Sequence, residues 1–321
     1  VKLLVTGGCG FIGSHFIHTA IEKDPNVEII NLDKLTYAGR LENVRDLEGN
    51  ARYKFVKGDI LDRELVKGLA KETDEIVHFA AETHVDRSIM AAGEFAMTDV
   101  LGTQSLLEAA LDAGHERFFH ISTDEVYGSR VEGFFKEEDA MLPNSPYSAS
   151  KAGAEMMVRA YEKTYGLKAT VTRSSNNYGP NQHPEKFIPM AITNIIRGKK
   201  VPIYGDGKNV RDWLYVKDNC EAIHMLLTGK HTGVYNLGAM GGEENIKIAR
   251  DILGIMDKKE ECLQHVEDRK GHDWRYAINT SKITGLGWKP KMKLDDGLKI
   301  TVEWYMANKK WWAPLVDDYG N

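Results

Sequence analysis

Cysteine is scarce in this chain of 321 residues: Cys9, Cys220 and Cys262 are the only three, far apart and without a CxxC pair. That excludes a disulfide framework and a cysteine zinc site, and reads as reduced thiols in a reducing, cytoplasmic compartment. Long apolar runs are missing as well. None approaches the ~20 residues that span a bilayer, so no membrane partner is expected. The first residues read as a strand rather than a signal peptide. Positive charge is not in excess: 42 Lys and Arg stand against 47 Asp and Glu, a net charge of -5. A nucleic-acid partner would need clustered basic surface, and none is expected. His15, His18, His78 and His84 show no metal-ligand spacing, so no metal is expected. Repeats and low-complexity segments are absent. What remains is an ordinary globular composition, 42% hydrophobic and 28% charged. Its length suits one large α/β domain with a smaller lobe.

Val1–Thr6 is a short, nearly all-apolar run ending at glycines, the pattern of a strand buried on both faces of a parallel sheet. Further strands are expected at Val27–Leu32, Tyr53–Val56, Ile76–Phe79, Arg117–Ile121 and Ala169–Thr172. Helices are expected between them at Ile12–Lys23, Arg63–Lys71, Val100–Ala113 and Ala149–Tyr165. The alternation predicts a doubly wound parallel sheet of the Rossmann type. After Asn176 the alternation stops, and Pro180, Pro184 and Pro189 crowd a loop. We expect residues 1–176 to form the cofactor domain, with a returning segment near 205–235. Residues 177–321 are expected to form mainly a smaller, mixed α/β substrate lobe. A helix at Asp218–Leu227 is expected to rejoin the main sheet, and the last helix to cover Leu294–Met306.

Gly7, Gly10 and Gly13 sit directly between the first strand and the first helix. The first permits a tight turn, the second lets backbone approach a pyrophosphate, and the third lets the helix pack closely on the sheet. Asp33 closes the second strand about 20 residues beyond Gly13. A carboxylate there accepts both ribose hydroxyls and repels a 2′-phosphate, so the expected cofactor is NAD and not NADP. Asp59 and Ile60, after the third strand, suit the adenine end.

Tyr147 and Lys151 form a Y-x-x-x-K pair, four apart on one helix face. A lysine ammonium beside a phenol lowers its pKa from ~10, so that Tyr147 can take a proton from an alcohol. Ser122 and Thr123 end the strand upstream, where a hydroxyl can meet the substrate oxygen. Two carboxylates, Asp124 and Glu125, follow at once. They are either a cap and a surface residue, or the acid and base needed to remove water from a sugar. Simple alcohol oxidation needs neither.

The segments TGGCGFIGSHF (6–16), LDKLTYAG (32–39), HFAAETHVDRSI (78–89), ISTDEVYG (121–128), SPYSASKAGAE (145–155), RSSNNYGPNQHPEKFIP (173–189), PIYGDGKNVRDWLYVKD (202–218) and DRKGHDWRYAI (268–278) together resemble the dTDP-glucose 4,6-dehydratases. These belong to the extended short-chain dehydrogenase/reductases, and the resemblance spans nearly the whole chain. It implies an internal redox cycle on a nucleotide-linked glucose and an NAD cofactor. It also implies a homodimer through the Tyr147 helix, to which Met156, Met157 and Tyr161 either contribute or are core. Thr123 would bind the sugar O4, Tyr147 would deprotonate it, and Lys151 would hold the nicotinamide ribose. Asp124 would be the acid for the C6 hydroxyl, and Glu125 the base for C5. Phe11, Ile12, Asp33, Lys34, Leu35, Thr36, Asp59, Ile60, Phe79, Ala80, Ala81, Thr98 and Asn177 would line NAD. Thr83, Asn176, Lys186, Phe187, Pro202, Tyr204, Arg211, Asn245, Arg269 and His272 would hold the nucleotide sugar. Arg211, Arg269 and Lys186 are suitable cations for a diphosphate.

The chain departs from the family pattern in three places. Lys270 replaces a usual proline, Asp99 a usual asparagine, and Cys9 a common alanine. Tyr319 in the tail aligns too loosely to receive a role. Two rivals remain: a nucleotide-sugar 4-epimerase, which has no use for the Asp-Glu pair, and a non-catalytic NAD-sensing protein, which has no use for the Tyr-Lys pair.

Overall fold

In a computed structural model, residues 1–268 and 271–317 are described. A seven-stranded sheet forms the centre. Its strands are β1 (Lys2–Thr6), β2 (Glu28–Asp33), β3 (Tyr53–Lys57), β4 (Glu75–His78), β5 (Arg117–Thr123) and β6 (Lys168–Ser174), with a last strand at Gly233–Leu237. The spatial order runs from Gly233–Leu237 through β6, β5, β4, β1 and β2 to β3. Every pairing is parallel; Leu4, for example, lies between Ile30 and Ile76. Because side chains alternate along a strand, β1 feeds two cores. Leu3 and Val5 join Phe16, Ile17, Phe119, Ile223 and Leu226 on one face. Leu4 joins Ile30, Ile76, Leu106, Phe118 and Val158 on the other. The middle of a strand covered on both faces is apolar, as Leu3, Leu4 and Val5 are, while the buried Thr6 at its end pairs its hydroxyl with His78.

The chain winds outward from β1 to β3, then returns to β4 on the other side of β1. That reversal opens a crevice at the carboxyl ends of β1 and β4. The returning segment is helix Val216–Thr228, packed on helix Phe11–Lys23, followed by the seventh strand. A third core, with Ile188, Ile192, Val201, Ile203, Ile248, Ile252, Leu298, Tyr305 and Trp312, belongs to the smaller lobe. The strand Val201–Tyr204 pairs there with Leu263–Val266.

Three helices differ from expectation: Leu294–Ala307 is not the last, because Lys309–Asp317 follows it after a break at Asn308, and two others start elsewhere. The helix carrying Tyr147 begins at Pro146, not Ala149. Ser145 caps it, with Ser148 reciprocating, and Pro146 occupies the first turn where its missing N–H costs nothing. The helix expected at Val100–Ala113 starts in a π-turn, Ala96–Leu101, before the α-helix Gly102–Asp112. A π-turn inserts extra chain into the helical period, so apolar spacing misplaces the start. Among the described residues, no helix is long and apolar enough to cross a membrane.

Candidate active site

One cleft runs along the carboxyl ends of the strands and under the smaller lobe. At its floor, Gly7 has φ of 70° and donates its N–H to the Leu32 carbonyl at 2.9 Å. A Cβ on Gly7 would lie 2.6 Å from the Ala80 nitrogen, and one on Gly13 would lie 2.4 Å from the Gly7 carbonyl oxygen. Both glycines are therefore steric requirements. Gly10 caps helix Phe11–Lys23 without any side-chain bond, which leaves the helix N-terminus facing the cleft. A pyrophosphate fits such a terminus. Asp33 is 7% exposed and accepts the N–H of Cys9 at 2.9 Å and of Leu35 at 2.8 Å. Burial pushes its pKa up, against those two donors. Lys34 reaches Asp59 at 2.6 Å. Phe11, Ile12, Thr36, Ile60, Phe79, Ala80, Ala81, Thr98 and Asn177 line the same trough. The chain's residues thus fit a dinucleotide. Leu35 is the exception: at φ of 57° it packs onto the core and not on the cleft wall.

The carboxyl end of β5 and the helix Pro146–Tyr165 bring the reactive groups together. Tyr147 and Thr123 line the same stretch of the cleft, and the Thr123 side chain pulls the phenol's pKa down. The Glu125 N–H donates to Thr123 Oγ1 at 3.2 Å. Lys151, 5% exposed, gives its ammonium to the Ile121 carbonyl at 2.7 Å. This corrects one expectation. The Tyr147 pKa lies well above its ordinary value, raised by burial and by Glu125, Asp99 and Asp124, and Thr123 opposes only in part. Desolvation and three carboxylates outweigh a lysine whose ammonium is engaged elsewhere.

Asp124 is 2% exposed, and its Oδ2 has no hydrogen-bond partner among the described residues. Burial, then Glu125 and Asp212, hold its pKa well above the carboxylate range, although Arg211 pulls the other way. The protonated form of Asp124 is therefore favoured beside Glu125, an arrangement suited to paired acid and base work. Arg211 lies across the Tyr276 ring at 4.1 Å, with Nη2 on the Asp273 carbonyl at 2.9 Å. Lys186 donates to the Thr83 carbonyl. His272 binds Asp268 at 2.7 Å and meets Tyr204 edge-on. Thr83, Asn176, Phe187 and Asn245 also line the cleft. Pro202 does not; it sits two residues back along the strand from Tyr204, about 7 Å away along its axis. Arg269, Lys270 and Tyr319 lie outside the described residues.

Tyr276 and Asp273 received no role from the sequence, yet both line the site. The Tyr276 hydroxyl lies 2.7 Å from Asp273 Oδ2 and 3.5 Å from Glu125 Oε2. Their segment, GHDWRYAI, stands out in the sequence, but nothing local says that its tyrosine reaches Glu125. Among the described residues, no group of three His, Cys, Asp or Glu could hold a metal.

A family model described as GDP-mannose 4,6 dehydratase matches residues 4–301. The chain belongs to this family. A dTDP-glucose 4,6-dehydratase of Streptomyces niveus is 48% identical over 98% of this chain and 96% of its own length. The dTDP-glucose 4,6-dehydratase DesIV of Streptomyces venezuelae, solved with NAD and dTDP bound, superposes with a TM-score of 0.96. It is 46% identical, covering 98% of this chain and 100% of that one. A UDP-glucose 4-epimerase of Thermotoga maritima superposes with a TM-score of 0.88 at 32% identity, covering 96% and 100%. The fold is thus shared within the family by dehydratases and epimerases, and the site has to separate them.

Proposed function

We propose that the chain holds NAD and converts dTDP-glucose into its 4-keto-6-deoxy sugar. The observation that carries this reading is the buried Asp124 beside Glu125, directly after Thr123. An epimerase has no water to expel and needs no such pair.

Bound NAD supplies a hydride acceptor for C4 and, once reduced, a hydride donor for C6. Thr123 holds the sugar O4, and Tyr147 takes its proton as C4 becomes a ketone. Lys151 holds the nicotinamide ribose. The ketone acidifies the C5 proton, which Glu125 removes. Asp124 gives its proton to the C6 hydroxyl, which leaves as water with the C6–O electron pair. A double bond joins C5 and C6 until C6 receives hydride and C5 a proton. The net change is loss of one water. Arg211 and Lys186 are placed to bind the diphosphate. Residues 1–176 with the 205–235 return serve NAD, and residues 177–321 serve mainly the nucleotide sugar.

The chain is proposed to act in the cytoplasm as a homodimer. Met97, Leu101, Met156 and Tyr165 are all exposed near the Tyr147 helix, and an apolar patch of that kind favours association. Met157 and Tyr161 pack into the core instead. Light scattering at micromolar concentration, compared with Met156→Glu, tests the dimer. Parallel incubation with dTDP-glucose and UDP-glucose tests the activity. A 4-keto-6-deoxy product is expected with dTDP-glucose, whereas a galactose epimer would favour the epimerase.

A further inference from the structure

Asp99 lies inside the π-turn Ala96–Leu101, 1% exposed. Its Oδ1 accepts the N–H of Glu82 at 2.9 Å, and its Oδ2 lies 2.5 Å from the Ser150 hydroxyl. Ser150 Oγ is also 2.8 Å from the Tyr147 carbonyl oxygen, so Asp99 is tied to the turn of helix that carries Tyr147 and Lys151. An asparagine would keep both contacts. Its carbonyl would accept from Glu82, and its amide would donate to Ser150 Oγ, whose own proton would serve the Tyr147 carbonyl. What the carboxyl adds is charge alone.

We propose that Asp99 is a positioning residue for the Tyr147–Lys151 pair, holding a buried carboxyl through Ser150 against the turn of helix that carries both. The proposal rests on the roles given to Tyr147 and Lys151 above.

Tyr147 and Lys151 face Asp99 from the helix Pro146–Tyr165, and Glu82 faces it from the segment after β4. His78 reaches the same turn through Thr103, whose hydroxyl bonds the Asp99 carbonyl, and burial keeps His78 neutral. A negative charge disfavours the phenolate and favours the ammonium, so it raises both pKa values. Both directions appear: Asp99 adds to the upward shift of Tyr147 and opposes the burial that lowers Lys151. Burial also lifts Asp99 above the ordinary carboxylate range. Below that raised value Asp99 is itself neutral, and its effect disappears.

The test is Asp99→Asn, with Asp99→Ser as a second neutral variant, in the NAD-loaded enzyme. Single-turnover reduction of the cofactor by dTDP-glucose is followed across pH. Tyr147 is titrated directly as the ultraviolet difference between each protein and its Tyr147→Phe counterpart. Both limbs of the rate profile, and the tyrosinate midpoint, are expected to move to lower pH by about one unit. At the acid extreme the variants and the parent should converge. Superimposable profiles that differ only in height would make Asp99 structural and overturn the proposal. Normal oxidation of C4 by Tyr147→Phe would instead remove the Tyr147 assignment, and the proposal with it.

Discussion

Replacing Asp124 by asparagine removes one proton and almost nothing else. The side chain is 2% exposed, and its Oδ2 makes no hydrogen bond among the described residues, so no partner among them is lost there. Because burial, Glu125 and Asp212 favour the protonated acid, an amide exchanges that form for another uncharged group. The fold should hold. The elimination should not, since an amide cannot protonate a leaving hydroxyl. General acid catalysis contributes about 10²–10⁴-fold, or roughly 3–5 kcal/mol of barrier. Oxidation at C4 does not use this proton and should proceed at the parental rate. The reduced cofactor should therefore accumulate in a single turnover of Asp124→Asn, as rapid-quench sampling with dTDP-glucose can show. In the parent, elimination should fall as pH rises through the raised Asp124 value, because the protonated form is the working one. A variant that expels water at the parental rate would make Asp124 a structural cap and refute the reasoning.

Gly13→Ala places a methyl 2.4 Å from the Gly7 carbonyl oxygen. The purified variant should carry much less NAD than the parent, measured by release on denaturation. Asp212 accepts the N–H groups of Ala239 at 2.9 Å and Gly241 at 3.0 Å. Asp212→Asn turns one acceptor into a donor facing a donor and should cost about 1–3 kcal/mol in denaturant unfolding. Burial raises the Asp212 pKa to about 6, above its unfolded value. Its contribution to stability is thus full below the unfolded carboxylate value and is lost as pH rises through about 6. That part of the pH dependence should be missing in the variant.

The first half of the fold was legible because strands buried on both faces must be continuous apolar runs, and the helices between them keep a 3.6-residue period. The π-turn at Ala96–Leu101 breaks that period, and the start of the helix was misplaced accordingly. The seventh strand, Gly233–Leu237, is short, and only its pairing with β6 tells it from a lobe strand. That Asp33, Thr123, Asp124 and Tyr147 line one cleft was legible because each follows a strand or sits in a motif. The direction of the Tyr147 shift was not. It depends on burial and on carboxylates that include Asp99, 48 residues away in sequence and adjacent only in the fold. Tyr276 was passed over for the same reason, since its contact with Glu125 spans 151 residues.

The central claim is that one site oxidises, dehydrates and reduces without net use of NAD. Turnover of dTDP-glucose in heavy water tests it most directly. The expected product is the 4-keto-6-deoxy sugar with solvent deuterium at C5, formed while total NAD stays constant. A C4 epimer without deuterium at C5, or stoichiometric loss of NAD, would contradict the account.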